Sequence, residues 1–158
     1  MLFATAACHA RESTIAEPSN QTLRVNGLER DYLLYTPHNA GSSSDLRPLV
    51  FVLHGGGGTA RQIASHVGDH FMALADREGF YLVFPDAIGK WWDFGMGKVA
   101  ESRPRWADDH AFFESLIDTL ATQLPIDRRR IFATGISRGG QASYFMACAL
   151  PGRIRAIA

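Results

Sequence analysis

A serine flanked by glycines, placed between a strand pattern and a helix pattern, is the feature that most constrains the fold of this 158-residue chain. Residues 135–139 read Gly-Ile-Ser-Arg-Gly. Residues 130–134 resemble a short strand, and residues 139–150 have a helical pattern that Pro-Gly ends. Small residues two positions to either side of a serine at such a junction keep the strand and the helix from colliding. The motif therefore predicts a tight turn that carries Ser137 between a strand and a closely packed helix.

A second glycine-rich segment follows an apolar strand pattern earlier in the chain. Residues 48–53 are almost wholly apolar, as in strands covered on both faces, and residues 54–58 read His-Gly-Gly-Gly-Gly. Glycines at this place let the backbone approach a substrate and turn N–H groups toward it. We predict an oxyanion hole from the N–H of Arg138, at a helix N-terminus, together with the N–H of Gly56 or Gly57. The alternative, a phosphate-binding loop, is weaker because neither nucleotide-binding glycine motif is complete.

The rest of the chain alternates between strand and helix patterns. Asn-Gly at residues 26–27 suits a type I′ hairpin turn. A helix with a break at Gly68 is predicted over residues 59–77, and a second helix over residues 108–124. The predicted strands are residues 23–25, 30–35, 48–53, 80–84, 130–134 and 154–158. Strands separated by helices imply an α/β fold with a mostly parallel sheet and helices on both faces.

Charge and hydropathy exclude some classes of partner. Sixteen basic residues balance sixteen acidic ones, so no net field draws nucleic acid or an anionic membrane to the surface. No segment has the uninterrupted apolar length of a membrane span. A neutral or weakly charged partner fits better. The two cysteines, Cys8 and Cys148, offer no disulfide framework, and Cys148 is predicted to be buried on the helix behind Ser137.

The first 21 residues are predicted to lie outside the fold, which would occupy residues 22–158. Residues 1–10 lack the basic start and the apolar length of a complete signal peptide. Thr-Ala-Ala-Cys at residues 5–8 nevertheless resembles the end of a lipoprotein signal. One interpretation is therefore an exported protein with a remnant of its export signal and a lipid anchor at Cys8. The other is an unstructured leader, which leaves a cytoplasmic protein as the alternative.

A long irregular segment at residues 86–107 is a candidate substrate-binding loop. It is rich in Gly, Trp and charge without regular period, and such stretches are uncommon unless they are functional or mobile. Trp91 and Trp92, together with Phe94 and Trp106, are predicted either to line a substrate site or to cover the edge of the sheet. Both interpretations stay open at this point.

Together these motifs resemble the polyhydroxybutyrate depolymerase, feruloyl esterase and acetylxylan esterase group of α/β-hydrolases. The resemblance extends from about residue 30 to the last residue, and the segments that carry it are residues 53–58, 91–93, 107–112 and 127–139. It implies a carboxylic ester hydrolase without a cofactor, acting on a small or polymeric ester: a polyester, or an aromatic or acetyl ester of a carbohydrate. In such enzymes the serine, here Ser137, attacks the ester carbonyl, a histidine takes its proton and an acid orients the histidine. The family often has an uncharged residue where this chain has Arg138, a departure on the substrate side of the site.

The acid and the histidine of such a triad follow the serine in α/β-hydrolases. This sequence has no His, Asp or Glu after Ser137. We therefore expect the N-terminal portion of a single α/β-hydrolase domain, with the C-terminal part missing. The alternatives are an inactive fragment, a non-enzymatic binding protein, and a serine peptidase or acyltransferase on the same fold.

Residues upstream of the serine offer weaker candidates for the missing roles. His54 begins the glycine loop, where a histidine more often shapes the loop than acts as a base. Asp86 follows a strand end, as catalytic acids do, but precedes the serine, and for His110 a surface or capping role is favoured. His66 and His70 have the spacing of metal ligands on a helix, yet no glutamate follows His66, so no metal site is predicted.

Overall fold

The computed structural model describes residues 15–42, 45–94 and 108–158. Its strands are β1 (Ser19–Val25), β2 (Leu28–Tyr35), β3 (Arg47–Leu53), β4 (Tyr81–Pro85), β5 (Ile126–Gly135) and β6 (Ala156–Ile157). Its α-helices are α1 (Ala60–Glu78), α2 (Asp109–Gln123) and α3 (Arg138–Ala149), and 3-10 helices cover His38–Ser42 and Ile88–Lys90. The strands form one sheet in the order β1-β2-β4-β3-β5-β6. Pairing is antiparallel for β1–β2 and β2–β4 and parallel for β3–β4, β3–β5 and β5–β6.

The predicted hairpin is confirmed, but it begins earlier than expected. Asn26 and Gly27 both have positive φ, at 50° and 83°, as a type I′ turn requires. β1 starts at Ser19, so the last three residues of the predicted leader belong to the sheet. β1 is an edge strand whose residues are mostly exposed, and its sequence therefore lacks the apolar alternation that marks a half-buried strand.

Two apolar layers lie on opposite faces of the sheet and confirm the predicted α/β architecture. Alternate residues of β3 and β4 point to opposite sides, because successive side chains of a strand do so. One layer combines Val52, Leu82 and Phe84 with the buried face of α1. The other combines Phe51, Val83 and further strand residues with α2 and α3. Burying each such side chain contributes about 1.5–3 kcal/mol, so these central strands form the apolar core of the fold.

Helix α1 is continuous, and the predicted break at Gly68 is wrong. Thr59 accepts a hydrogen bond from the Gln62 N–H at the start, and Gly79 ends the helix with φ of 73°. Gly68 is buried, and a Cβ placed there would lie 2.8 Å from Cε of Met72. Glycine costs a helix only about 1 kcal/mol, which the packing of the buried face offsets.

Several sequence features lie outside the described residues. They include Cys8 with the lipoprotein-like residues 5–8, and the second part of the irregular segment with Trp106. The lipid anchor and export therefore stay predictions. Within residues 15–42, 45–94 and 108–158, no helix is long and apolar enough to cross a membrane.

Candidate active site

Ser137 lies on the sharp turn between β5 and α3. Its φ of 55° and ψ of −114° are unusual for a residue with a side chain, and such a conformation costs about 1–3 kcal/mol. Two backbone hydrogen bonds hold the turn, from Ile136 N–H to the Leu53 carbonyl at 3.2 Å and from Gly139 N–H to the Ile136 carbonyl at 2.8 Å. Ser137 is exposed. The surrounding fold thus maintains a strained turn that presents a serine at the carboxyl end of the central strands.

Two glycines allow the elements around this turn to approach each other. A Cβ on Gly135 would lie 2.5 Å from the carbonyl carbon of Gly139 and 2.7 Å from the Leu53 carbonyl oxygen. A Cβ on Gly139 would lie 2.7 Å from the His54 carbonyl oxygen and closer still to that of Leu53. These are backbone atoms that cannot rotate away, so the packing of α3 on β3 and β5 requires glycine at both positions.

The glycine loop lies directly beside the serine. A Cβ on Gly55 would be 3.8 Å from the Ser137 Cβ. The loop is closed by a hydrogen bond from Gly58 N–H to the Gly55 carbonyl at 3.0 Å, while Gly57 N–H donates to the Lys90 carbonyl at 2.8 Å. Gly57 N–H is thus already committed to an acceptor. Gly56 N–H has no intramolecular acceptor within the described ranges, which leaves Gly56 as the donor available from this loop.

The turn between β5 and α3 supplies a second N–H group, at the start of α3. The first acceptor-bonded amides of this helix are those of Gly139 and Gln141, which donate to the carbonyls of Ile136 and Ser137. Within the part of the chain that the structure describes, the Arg138 N–H has no acceptor. The first N–H groups of a helix carry its partial positive charge, so the Arg138 amide is suited to a negatively charged oxygen.

His54 has both ring nitrogens occupied by backbone groups. Its Nε2 accepts a hydrogen bond from the Ala87 N–H at 3.1 Å, so Nε2 carries no proton. Its Nδ1 lies 2.7 Å from the Gly55 carbonyl oxygen and must donate, because a carbonyl can only accept. The ring is buried and lies against that of Trp92, with 4.7 Å between centroids and 32° between the ring planes. His54 therefore shapes the glycine loop, as the preferred interpretation predicted.

Asp86 caps a helix. Its Oδ1 accepts a hydrogen bond from the Ala60 N–H at 2.7 Å, at the positive end of α1. Burial raises the pKa of this carboxyl group, and the hydrogen bond from the Ala60 N–H acts in the opposite direction. Asp86 Oδ1 lies 3.6 Å from His54 Nε2, but both atoms are acceptors in the tautomer described above. The pair is an arrangement around the start of α1 and does not orient a histidine toward Ser137.

The two adjacent tryptophans have different environments. Trp92 is buried, its Nε1–H donates to the His54 carbonyl at 2.8 Å, and its ring lies 5.4 Å from that of Phe113. Trp91 is 46% exposed and covers Gly56, where a Cβ would come within 2.8 Å of the indole. Of the two interpretations left open for the aromatic residues, burial in the core holds for Trp92, whereas Trp91 is half-exposed beside Gly56.

A buried ion pair between Arg30 and Asp109 holds the segment after Trp92, and the sequence alone did not predict it. Arg30 and Asp109 are both buried and are joined by a hydrogen bond between Nη2 and Oδ1. The other carboxylate oxygen of Asp109 accepts from the Asp93 N–H, and the Arg30 guanidinium lies 3.9 Å from the centroid of the Phe112 ring. The sequence signal was the Asp-Asp pair at residues 108–109. Asp108, in contrast, caps α2 by accepting a hydrogen bond from the Ala111 N–H at 3.1 Å.

The remaining candidate residues lie away from the turn. His110 Nε2 is 3.1 Å from the Ala149 carbonyl oxygen, at the far end of α3, which is about 17 Å from its start at 1.5 Å per residue. Cys148 is exposed, contrary to its predicted burial, and lines an open apolar cavity of about 780 Å³ along α3. Among the described residues no cluster of three metal-ligating side chains occurs, and the pair His66 and His70 is part of α1.

Comparisons with known proteins identify esterases among the relatives of this chain. Feruloyl esterase D of Neurospora crassa is 25% identical over 154 residues, which are 92% of this chain and 49% of that protein. The bifunctional acetylxylan esterase/xylanase XynS20E of Neocallimastix patriciarum is 30% identical over 141 residues, or 88% of this chain and 19% of that protein. The chain thus spans about half the length of the first relative and less of the second.

Solved structures show the same fold. A thermostable esterase superposes with a TM-score of 0.72 at 22% identity, over 90% of this chain and 40% of that one. An acetyl xylan esterase from Aspergillus awamori gives a TM-score of 0.68 at 21% identity, over 88% of this chain and 50% of that one. A family model described as esterase PHB depolymerase matches residues 30–158. The chain therefore belongs to the esterase PHB depolymerase family and has the α/β fold of esterases.

Proposed function

We propose that this chain carries the nucleophile and the oxyanion hole of a carboxylic ester hydrolase, with Ser137 as the nucleophile. The observation that carries the proposal is the strained φ of 55° at an exposed serine on the turn between β5 and α3. Backbone strain of this kind persists only where the surrounding structure enforces it, and it clusters at functional sites. Attack of Ser137 Oγ on an ester carbonyl would form an acyl-enzyme, release the alcohol, and require water to free the acid.

The oxyanion formed during attack would be stabilised by two backbone N–H groups. Those of Gly56 and Arg138 fit this role because both lack an acceptor within the described ranges and belong to segments that adjoin Ser137. Gly57, the third residue that the sequence suggested, donates to Lys90 instead. Donors held in advance by the fold need no reorganisation during the reaction, and each is worth about 100-fold to 1000-fold in rate.

Neither His54 nor His110 is placed to act as the general base for Ser137. Both nitrogens of His54 are hydrogen-bonded to backbone, and His110 lies at the opposite end of α3. The proposal thus needs a histidine and an acid from outside the described residues. It assigns to this chain the groups that attack and stabilise, and leaves proton transfer to the rest of the catalytic machinery.

For the substrate we propose an ester of an aromatic acid or of acetic acid with a carbohydrate, or a polyester. The names of the relatives support this class, since they include a feruloyl esterase and an acetylxylan esterase. On this chain, the half-exposed Trp91 beside Gly56 offers an apolar surface next to the serine, of a kind that suits a sugar or an aromatic ring. The mechanism requires no cofactor or metal.

The experiment is hydrolysis of p-nitrophenyl acetate by the full-length gene product and by its Ser137→Ala variant. We expect the variant to lose at least about 1000-fold in kcat, as removal of a nucleophile does. Ser143→Ala is a matched control, because Ser143 is buried on the same helix and only donates to the Gly139 carbonyl. A Ser137→Ala enzyme as fast as wild type, or a wild type that hydrolyses no ester, would overturn the proposal.

A further inference from the structure

The side chain of Arg138 links the turn at Ser137 to the tryptophan loop, residues 90–94. Its Nη2 donates to the Trp92 carbonyl at 3.0 Å. The guanidinium carbon lies 4.8 Å from the centroid of Phe94 and 5.3 Å from that of Trp91. Within the described ranges no carboxylate pairs with Arg138. A carbonyl and two aromatic faces, rather than an opposite charge, therefore hold this guanidinium.

The tryptophan loop in turn holds the glycine loop at three points. At one end, the Trp92 indole donates to the His54 carbonyl. At the other, the Lys90 carbonyl accepts from Gly57 N–H. Between them the ring of Trp91 lies against Gly56, so closely that a Cβ there would be 2.8 Å from the ring.

Together these contacts connect the two segments that carry the proposed oxyanion donors. The two proposed donors, Gly56 N–H and Arg138 N–H, belong to segments after different strands, β3 and β5. The Arg138 side chain joins the helix that carries one donor to the loop that fixes the other. A displacement of about 1 Å in a catalytic group can cost on the order of 100-fold in rate, so the stiffness of this link matters for catalysis.

We propose that Arg138 is a positioning residue for ester hydrolysis, whose side chain sets the separation of the two oxyanion donors through Trp91 and Trp92. The inference rests on the proposed function of Ser137. It gives the charged side chain after the serine a role distinct from that of its backbone N–H. Because Arg138 acts through the loop, its loss should impair transition-state stabilisation more than substrate binding.

The test compares Arg138→Met and Arg138→Lys with wild type in the full-length gene product. Methionine keeps the length of the side chain and removes the donors and the charge, whereas lysine keeps the charge without the planar guanidinium. We expect Arg138→Met to lower kcat by about 10-fold to 100-fold with KM within about twofold, as for a group that acts only in the transition state. Arg138→Lys should recover only part of this loss. Full recovery by lysine would assign the effect to charge alone and overturn the proposal.

A double-mutant cycle with Trp91→Leu separates positioning from a local effect. If both side chains act through the same link, the double variant should be hardly slower than the slower single variant. Losses in kcat that multiply in the double variant, or a rise in KM with kcat unchanged for Arg138→Met, would overturn the proposal. Gln141→Met, one turn further along α3, controls for substitution on this surface and should keep the wild-type rate. Since Ser137→Ala is measured in parallel, an inactive serine variant beside a fully active Arg138→Met refutes only the positioning role.

Discussion

Gly139→Ala and Gly140→Ala make a matched pair that tests how tightly α3 is packed at the nucleophile turn. The residues are neighbours near the start of one helix, and in both cases alanine gains about 1 kcal/mol of helix propensity. Their surroundings differ. A Cβ at Gly139 would lie 2.7 Å from the His54 carbonyl oxygen, about 0.7 Å inside the 3.4 Å of an ordinary contact, and closer still to the Leu53 carbonyl oxygen. A Cβ at Gly140 would lie 3.3 Å from the Gly135 carbonyl oxygen.

The expected difference in stability follows from these distances. Overpacking that shifts backbone costs about 3 kcal/mol at the upper end of its usual range, so Gly139→Ala should be destabilised by a net amount of about 2 kcal/mol. Gly140→Ala needs a shift of only about 0.1 Å and should stay within about 1 kcal/mol of wild type. With a urea m-value of about 2 kcal/mol per molar, the midpoints should differ by about 1 M.

Urea unfolding followed by tryptophan fluorescence measures this difference. Gly139→Ala should also lose esterase activity, because the helix cannot separate from β3 without moving Ser137 and the Arg138 N–H. Coinciding midpoints for the two variants would refute the argument that the close approach of α3 to β3 requires glycine at residue 139 and not at its neighbour.

Three further predictions concern groups around the site and the sheet. Asp109→Asn should destabilise the protein by about 3 kcal/mol in urea unfolding, because it weakens the buried pairing of Arg30; an unchanged midpoint would contradict this. Nitrogen NMR should show His54 with Nδ1 protonated and Nε2 unprotonated, and the opposite tautomer would refute its assigned contacts. Hydrogen bonds from Arg153 and Arg128 lower the pKa of Asp118 to about 2. The contribution of Asp118 to the free energy of unfolding is thus complete above pH 3.8 and fades toward pH 2. The loss of stability that Asp118→Asn causes should therefore shrink as the pH falls through that range, as urea unfolding at each pH would show.

Turns that require a particular backbone conformation could be predicted from the sequence, because the identity of one or two residues decides whether the chain can adopt that conformation. Asn26 and Gly27 have the positive φ of the predicted turn, and the pattern around Ser137 predicted the junction of β5 and α3. The apolar run that became β3 indicated a central strand for the same reason, since burial on both faces leaves no polar position.

Features that depend on distant contacts could not be predicted in this way. Trp91 and Trp92 are adjacent and chemically identical, yet Trp92 is buried because the His54 carbonyl lies within reach of its indole N–H. Gly56 and Gly57 are likewise adjacent, yet the Lys90 carbonyl accepts from Gly57 while the Trp91 ring covers Gly56. Sequence periodicity does not indicate which of two adjacent residues forms a given contact with a distant segment.

Edge position explains the misplaced start of the fold. Ser19 to Gln21 pair with β2 through backbone groups while their side chains remain exposed. Hydrophobic patterning has no signal for such residues, because their contribution to the sheet is a row of main-chain hydrogen bonds. The helix break assigned to Gly68 failed for the converse reason, since burial against Met72 favours a residue that helix propensity disfavours.

The central claim is that Ser137 is the nucleophile, and covalent labelling tests it most directly. The full-length gene product would be treated with a fluorophosphonate probe, digested with trypsin and analysed by mass spectrometry. Cleavage after Arg130 and Arg138 gives a peptide of residues 131–138 in which Ser137 is the one serine. We predict that the phosphonyl group is found on Ser137 and that Ser137→Ala abolishes labelling. Labelling at another residue, with the peptide of residues 131–138 unmodified, would contradict the account.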